Sequence, residues 1–134
     1  MEAIEVLLVE DNPADVLLVR VALSQLSLPL KLSVAKDGEQ ALKMLNSADF
    51  HPQLVILDLN MPRVDGQTVL QEYQPSQIPV VIFSSSQNKA EVQRALSLGA
   101  REYVQKPLGF EPYAEAVRGI INRWAAPQQP ASTV

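Results

Sequence analysis

The chain has 134 residues, 47% of them hydrophobic and 19% charged, so it is long enough for one domain with a single core. A formal net charge of −4 gives no indication of binding to nucleic acid or to anionic lipid, and the absence of cysteine excludes disulfides and thiolate metal sites. No apolar run approaches the roughly 18 residues that a membrane span needs, and no signal peptide precedes the first apolar run. We therefore expect a cytoplasmic protein that binds neither nucleic acid nor membrane.

Apolar runs alternate with helical patterns along the whole chain. Strands are predicted at residues 4–9, 32–35, 54–58, 80–84 and 103–105. Helices are predicted from Pro13 to about Leu26, over 38–46, up to about Tyr73, from Asn88 toward Gly99, and over about 111–124. Asn12, Asp37 and Asn88 are predicted N-caps, and Glu91 three residues after Asn88 resembles a capping box. Five strands that alternate with five helices predict a parallel, doubly wound α/β sheet, because strands buried on both faces read as continuous apolar runs.

Chemically active side chains follow four of the five predicted strands. Glu10 and Asp11 come after the first strand, Asp58 ends the third, Ser84 ends the fourth and Lys106 follows the fifth. In such sheets the functional crevice lies at the carboxyl ends of the strands, so these residues are expected to converge there. Three acids at close quarters repel unless a cation joins them, and carboxylates with a backbone carbonyl suit Mg²⁺. The set predicts a site for phosphoryl groups, with a carboxylate as nucleophile.

At these residues the chain resembles the receiver domain of two-component response regulators. The acidic pair at 10–11, the segment LDLNMPRVDG, the strand-end Ser84 and the segment YVQKP occur in family order. The resemblance implies a flavodoxin-like (βα)5 sandwich with a five-stranded parallel sheet in the order 2-1-3-4-5. The resemblance covers about residues 4–124, and we expect a receiver domain over residues 1–126. The segment AAPQQPASTV at the end of the sequence predicts a flexible tail over 127–134.

The resemblance implies that Asp58 accepts a phosphoryl group from a phosphohistidine on a sensor histidine kinase. Asp11, Asp58 and the backbone carbonyl of Asn60 would hold Mg²⁺, with Glu10 acting partly through water, and Mn²⁺ can substitute. Such a protein is a signalling switch that assists its own phosphorylation and dephosphorylation, and is not an enzyme in the ordinary sense.

Three further residues carry the switch in the resemblance. Lys106 would pair with the acyl phosphate, Ser84 would hydrogen-bond it, and Tyr103 would change rotamer behind Ser84. This movement would alter the face made by the fourth helix, fifth strand and fifth helix. The family also implies a cis peptide bond between Lys106 and Pro107.

The segments VEDNPADVLLVRVAL and LDLNMPRVDGQTVL look like those of stand-alone regulators that partner phytochrome-type kinases, which makes a phytochrome-type photoreceptor the expected partner.

The last helix predicts a further property. Its apolar set is wider than one inner face requires (Tyr113, Ala116, Val117, Ile120, Ile121, Trp124). An apolar excess beside a sheet edge predicts a homodimer through the fourth helix, fifth strand and fifth helix. The alternative is that Ile121 and Trp124 fold back onto the core.

Other functions fit the same residues less well. A phosphatase of the haloacid dehalogenase type would have the pattern D-x-D at its nucleophile, whereas this chain has Asn60 two residues after Asp58. A nucleotide- or flavin-binding module would place a phosphate cradle after the first strand, where EDNPAD puts three acids. A pseudo-receiver that only binds partners remains as the main alternative. His51 is expected to be a solvated loop residue.

Overall fold

The computed structural model describes residues 3–61, 64–73 and 78–125, in which five strands alternate with five helices. The strands are β1 (Ile4–Val9), β2 (Leu30–Ala35), β3 (Leu54–Leu57), β4 (Val80–Ser84) and β5 (Glu102–Gln105). The helices are α1 (Pro13–Ser24), α2 (Gly38–Leu45), α3 (Gly66–Tyr73), α4 (Lys89–Ser97) and α5 (Phe110–Trp124). The predicted succession is confirmed, and the predicted boundaries differ from these by at most two residues. The expected tail, 127–134, lies outside the described residues.

The strands form one parallel sheet in the order β2-β1-β3-β4-β5, which confirms the flavodoxin-like topology. β3 and β4 are buried along their whole length, as strands covered on both faces should be. β2 begins at Leu30, two residues earlier than predicted, because Leu30 pairs with Ile4 at the start of β1. Within the described part of the chain, no helix is long and apolar enough to cross a bilayer.

Two apolar clusters cover the two faces of the sheet. Val6 and Leu8 of β1 contact the cluster built with α1 and α5, whereas Leu7 and Val9 belong to the cluster built with α2, α3 and α4. This division follows from the strand geometry, since successive side chains point to opposite faces. The sheet is therefore packed between two helical layers, and this packing fixes the backbone positions from which the residues after the strands start.

Each predicted N-cap is confirmed. The cap oxygens accept backbone N–H groups of the first turn, namely Asn12 from Ala14 at 2.9 Å, Asp37 from Gln40 at 2.8 Å, and Asn88 from Ala90 at 2.9 Å and Glu91 at 3.2 Å. The capping box at Asn88 is not formed as expected. Glu91 accepts a hydrogen bond from the Ser86 hydroxyl, and Ser86 Oγ accepts the Asn88 N–H at 3.3 Å in its place.

The apolar excess of α5 is used inside the molecule. Ile120 and Ile121 are fully buried, and Trp124 packs against the same cluster while its indole N–H donates to Glu102 Oε1 at 2.8 Å. Ile121 and Trp124 therefore fold back onto the core, as the stated alternative has it. This apolar set no longer supports a homodimer, which stays a prediction. Helical periodicity identified the apolar residues but not the width of the face that the sheet covers.

The expected cis bond between Lys106 and Pro107 was also wrong, since none of the described peptide bonds is cis. The trans form of an X–Pro bond is favoured by about 0.5–1 kcal/mol. The Lys106 N–H donates to the Ser84 carbonyl at 2.8 Å, which extends the β4–β5 ladder by one hydrogen bond.

The loop after β3 is held close to the start of α3 by Gly66. A Cβ atom at this position would lie 2.5 Å from the Asp58 carbonyl oxygen and 2.8 Å from the Leu59 Cα. Both neighbours are backbone atoms, so they cannot yield as a flexible side chain would. The Gly66 N–H also donates to the Leu59 carbonyl at 3.1 Å. A residue with no side chain is thus required for the backbone that carries Asp58.

Candidate functional site

The residues predicted to converge at the carboxyl edge of the sheet do so, and backbone hydrogen bonds hold them there. Beyond the strand ends, the Glu10 N–H donates to the Ala35 carbonyl at 2.9 Å, and the Asp58 N–H donates to the Val9 carbonyl at 3.0 Å. Lys106 is held in the same way by Ser84. The side chains therefore start from backbone positions that are continuous with the sheet.

Three carboxylates form a cluster at this edge. Glu10, Asp11 and Asp58 each offer an oxygen, and these oxygens all lie within 4.8 Å of one another. Glu10 is 2% exposed and Asp58 is 7% exposed, whereas Asp11 faces solvent. The cluster is open on the side of Asp11, which leaves room for an ion or a phosphoryl group to approach.

The Lys106 ammonium lies among the acids. Its Nζ is 2.7 Å from Glu10 Oε1, 3.4 Å from Asp15 Oδ1 and 3.7 Å from Asp58 Oδ2. These three carboxylates lie within 4 Å of one ammonium, and Asp11 belongs to the same acidic cluster, so the acids at this edge outnumber the one lysine. That excess is the condition under which a divalent cation binds favourably.

Glu10 is the most buried carboxylate of this cluster, and its pKa is raised. Burial raises the pKa of Glu10 to about 7, and the neighbouring Asp58 charge adds to the rise although the Lys106 hydrogen bond opposes it. Burial alone would lower the pKa of Lys106. Its hydrogen bond to Glu10 and the charges of the surrounding carboxylates outweigh burial, so the pKa of Lys106 is raised and the ammonium keeps its proton.

Ser84 is fully buried and is connected to Asp58 through Asn60. The Asn60 backbone N–H donates to Asp58 Oδ1 at 3.3 Å, and its side-chain amide donates to Ser84 Oγ at 3.5 Å. The Ser86 N–H also donates to Ser84 Oγ, at 3.4 Å. These bonds are long and therefore weak, so the Ser84 hydroxyl can exchange them at little cost.

Tyr103 belongs to the same neighbourhood but does not contact Ser84 directly through its hydroxyl. The Tyr103 hydroxyl donates to the Ser86 carbonyl at 2.8 Å, and Ser86 in turn bonds to Glu91 at the start of α4. Ser86, in the loop between β4 and α4, is thus hydrogen-bonded both to Tyr103 of β5 and to Glu91 of α4. The rotamer change of Tyr103 stays a prediction.

Two residues of the site escaped prediction as site residues. Asp15 is not among the predicted site residues, and the sequence assigns Tyr113 only to the apolar set of the last helix. The Tyr113 hydroxyl donates to Asp15 Oδ1 at 2.7 Å, and the same oxygen lies 3.4 Å from Lys106 Nζ. The third acid of EDNPAD was the available signal for Asp15. His51 is exposed in a loop, as predicted.

The sheet order and the acidic edge beside a lysine define a CheY-like α/β domain. Residues 6–118 match the family described as the response regulator receiver domain. The chain belongs to this family, whose members are signalling proteins.

Similar proteins include regulators of several kinds. The chain is 35% identical over 127 residues to the probable methanogenesis regulatory protein FilR2 of Methanothrix harundinacea, covering 89% of this chain and 82% of that protein. It is 32% identical over 128 residues to response regulator Rcp1 of Synechocystis sp., covering 89% of this chain and 87% of Rcp1.

Solved structures of phytochrome response regulators share the fold. The phosphorylated cyanobacterial phytochrome response regulator RcpA superposes with a TM-score of 0.86 at 32% identity, over 92% of this chain and 94% of RcpA. The Mn²⁺-bound form of Rcp1 superposes with a TM-score of 0.82 at 31% identity, over 95% of this chain and 99% of that one. Proteins similar to this chain thus include phytochrome response regulators.

Proposed function

We propose that this protein is a phosphoacceptor response regulator in which Asp58 receives a phosphoryl group from a sensor histidine kinase. One observation carries the proposal: Asp58, a strand-end carboxylate that is 7% exposed, clusters with the two acids that follow β1 and lies 3.7 Å from the Lys106 ammonium. The carboxylate oxygen would attack phosphorus while the bond from phosphorus to the imidazole nitrogen breaks, and the imidazole takes the electron pair.

The donor set fits a divalent metal ion. Three carboxylate oxygens within 4.8 Å of one another carry more negative charge than Lys106 balances, and hard oxygen ligands suit Mg²⁺ or Mn²⁺. Asp11, Asp58 and the Asn60 backbone carbonyl would hold the ion, with Glu10 acting partly through water. When bound, the ion would neutralise charge that builds up on the phosphoryl oxygens. The Mn²⁺-bound form of the similar protein Rcp1 supports this assignment.

Lys106 and Ser84 would then receive the phosphoryl oxygens. Lys106 offers a charged donor 3.7 Å from Asp58 Oδ2, and Ser84 offers a hydroxyl whose present hydrogen bonds are long. A movement of Ser84 would pull on the loop that Tyr103 holds through Ser86. This would carry the signal to the surface formed by α4, β5 and α5.

The proposed partner is a phytochrome-type histidine kinase, on the strength of the phytochrome response regulator RcpA and its relatives. A homodimer through α4, β5 and α5 retains two supports, namely Leu96 of α4, which is 39% exposed, and the position of β5 at the edge of the sheet. Sedimentation with and without beryllofluoride tests the dimer, and a monomer in both conditions would exclude it.

The proposed function is tested by transfer from a phytochrome-type kinase that has been autophosphorylated with labelled ATP. The label should move to the wild-type protein when Mg²⁺ is present and should stay on the kinase when EDTA replaces it. Asp58→Asn should accept no label, whereas Asp49→Asn, in an exposed loop, should behave as wild type. A protein that binds the kinase without accepting label would be a pseudo-receiver, and label on Asp58→Asn would exclude the assignment.

A further inference from the structure

Asp15 connects the candidate site to the core of the domain. It lies in the first turn of α1, and its side chain is 18% exposed. A single oxygen, Oδ1, lies 3.4 Å from Lys106 Nζ and accepts the Tyr113 hydroxyl at 2.7 Å. Because both neighbours use the same oxygen, the position of the carboxylate and the position of the ammonium depend on the tyrosine.

Tyr113 is a fixed point for this contact. The residue is 4% exposed, and its ring meets the Phe83 ring edge to face with centroids 5.0 Å apart. Its hydroxyl is the polar end of an otherwise apolar side chain, and burial followed by the adjacent Asp15 raises the pKa of Tyr113 well above its usual range. The hydroxyl therefore keeps its proton and remains a donor to Asp15.

We propose that Asp15 and Tyr113 are positioning residues for Lys106, which they hold beside Asp58 in readiness for the phosphoryl group. The inference rests on the proposed function. The Lys106 side chain is a flexible stem with three rotatable donors, and Glu10 at 2.7 Å is its nearest carboxylate. Glu10 alone would draw the ammonium to one side of the cluster. Asp15 provides a second carboxylate, and Tyr113 prevents that carboxylate from turning away toward solvent.

A simpler interpretation is that Tyr113 only satisfies its own buried hydroxyl, as buried polar groups generally must. The two interpretations differ in what happens to Lys106. If the contact only serves the tyrosine, removing the hydroxyl leaves the ammonium where it is. If Asp15 positions Lys106, the loss of either partner must reach the ammonium.

The first measurement follows the ammonium itself. An ordered, shielded Lys106 ammonium should give a resolved ¹H–¹⁵N signal in the metal-free, unphosphorylated protein. Tyr113→Phe keeps the ring packing and deletes only the hydroxyl, whereas Asp15→Asn keeps an acceptor for Tyr113 and deletes the charge. Both variants should shift or broaden the Lys106 signal. Tyr73→Phe, a hydroxyl deletion in α3, should leave it unchanged, and an unchanged signal in both site variants would overturn the inference.

The second measurement follows the reaction with acetyl phosphate at saturating Mg²⁺. Asp15→Asn should lower the maximum rate of Asp58 phosphorylation about tenfold, the change that roughly 1.4 kcal/mol of lost positioning produces. Tyr113→Phe should lower this rate by a smaller factor. For Tyr113→Phe, which removes no charge, the half-saturating donor concentration and the Mg²⁺ affinity should stay within about twofold of wild type.

The double variant distinguishes a shared pathway from two separate effects. Because Tyr113 is proposed to act through Asp15, adding Tyr113→Phe to Asp15→Asn should slow the reaction no further. Additive losses, or rates equal to wild type, would overturn the positioning roles alone. A wild-type protein that acetyl phosphate does not label would overturn the proposed function itself, so the two failures are distinguishable.

Discussion

Replacing Asp58 by Asn removes one carboxylate from a site that has too many, and we expect the metal-free protein to become more stable. Above pH 7, where Glu10 is mostly ionised, Asp58 and Glu10 at the 4.8 Å limit repel by about 3 kcal/mol at an effective dielectric of about 20. By the same measure, Lys106 at 3.7 Å attracts Asp58 by about 4 kcal/mol. Repulsion by the exposed Asp11 is weaker because water screens it.

These opposing charge effects nearly cancel, so the desolvation of Asp58 decides the sign. A carboxylate that is 7% exposed has lost most of its water, at an effective cost of several kcal/mol that a neutral amide largely avoids. Lys106 keeps Glu10 and Asp15 as partners in the variant. The net expectation is a gain of roughly 1–3 kcal/mol, which raises Tm by about 3–10 °C in a domain of this size.

The assay is thermal unfolding of wild type, Asp58→Asn and the exposed control Asp49→Asn, each in EDTA and in excess Mg²⁺. Mg²⁺ at 100 times its Kd stabilises a protein that binds it by about 2.7 kcal/mol, so the ion should reduce or reverse the advantage of Asp58→Asn. A variant less stable than wild type in EDTA, with the same Mg²⁺ response as wild type, would refute the reasoning. It would mean that Lys106 already balances the acids.

Three further predictions concern the site and its support. Because burial and the Asp58 charge raise the pKa of Glu10 to about 7, Mg²⁺ affinity in titration calorimetry should weaken as pH falls through that value. Because the folded protein prefers the neutral form of Glu10, this residue stabilises the metal-free fold. In EDTA, its contribution to the free energy of unfolding is complete below about pH 4.5 and is lost as the pH rises through about 7. Lys106→Ala and Ser84→Ala should retain Mg²⁺ binding but reduce the NMR shifts on phosphorylation, since two charge-assisted bonds of roughly 1.5–3 kcal/mol each supply most of the 5.5 kcal/mol that a full two-state change needs. Gly66→Ala should lower the unfolding free energy and disturb Asp58, because the new Cβ meets backbone atoms.

Each of the three has a result that contradicts it. A pH-independent Mg²⁺ affinity would remove Glu10 from the metal site, and full NMR shifts in both alanine variants would route the signal through other residues. For Gly66 the matched control is Gly119→Ala in α5, where the nearest atom to a new Cβ is the end of the flexible Arg123 side chain. Equal stability of the two glycine variants would show that the loop after β3 can yield.

The sequence was most informative where chemistry follows strand ends. Parallel strands bring their carboxyl ends to one edge, so the convergence of Glu10, Asp58 and Lys106 followed from topology once the strands were recognised. The N-caps were predicted from local sequence instead, because a cap hydrogen bond joins residues two or three positions apart. Local spacing is sufficient for such contacts.

Contacts between helices that are far apart in the sequence could not be predicted in this way. The hydrogen bond from Tyr113 to Asp15 spans 98 positions, and periodicity assigned Tyr113 only to an apolar face. Periodicity likewise could not say that the face of α5 covered by the sheet extends to Ile121 and Trp124. Side-chain partners across helix interfaces depend on packing angles that a hydropathy pattern does not contain.

The most direct test of the central claim is the mass of the intact protein after treatment with acetyl phosphate. The account predicts one added phosphoryl group in Mg²⁺, none in EDTA, and none on Asp58→Asn in Mg²⁺, with that variant folded by circular dichroism. Addition in the absence of a divalent ion, or addition to Asp58→Asn, would contradict the claim that Asp58 is a metal-assisted phosphoacceptor.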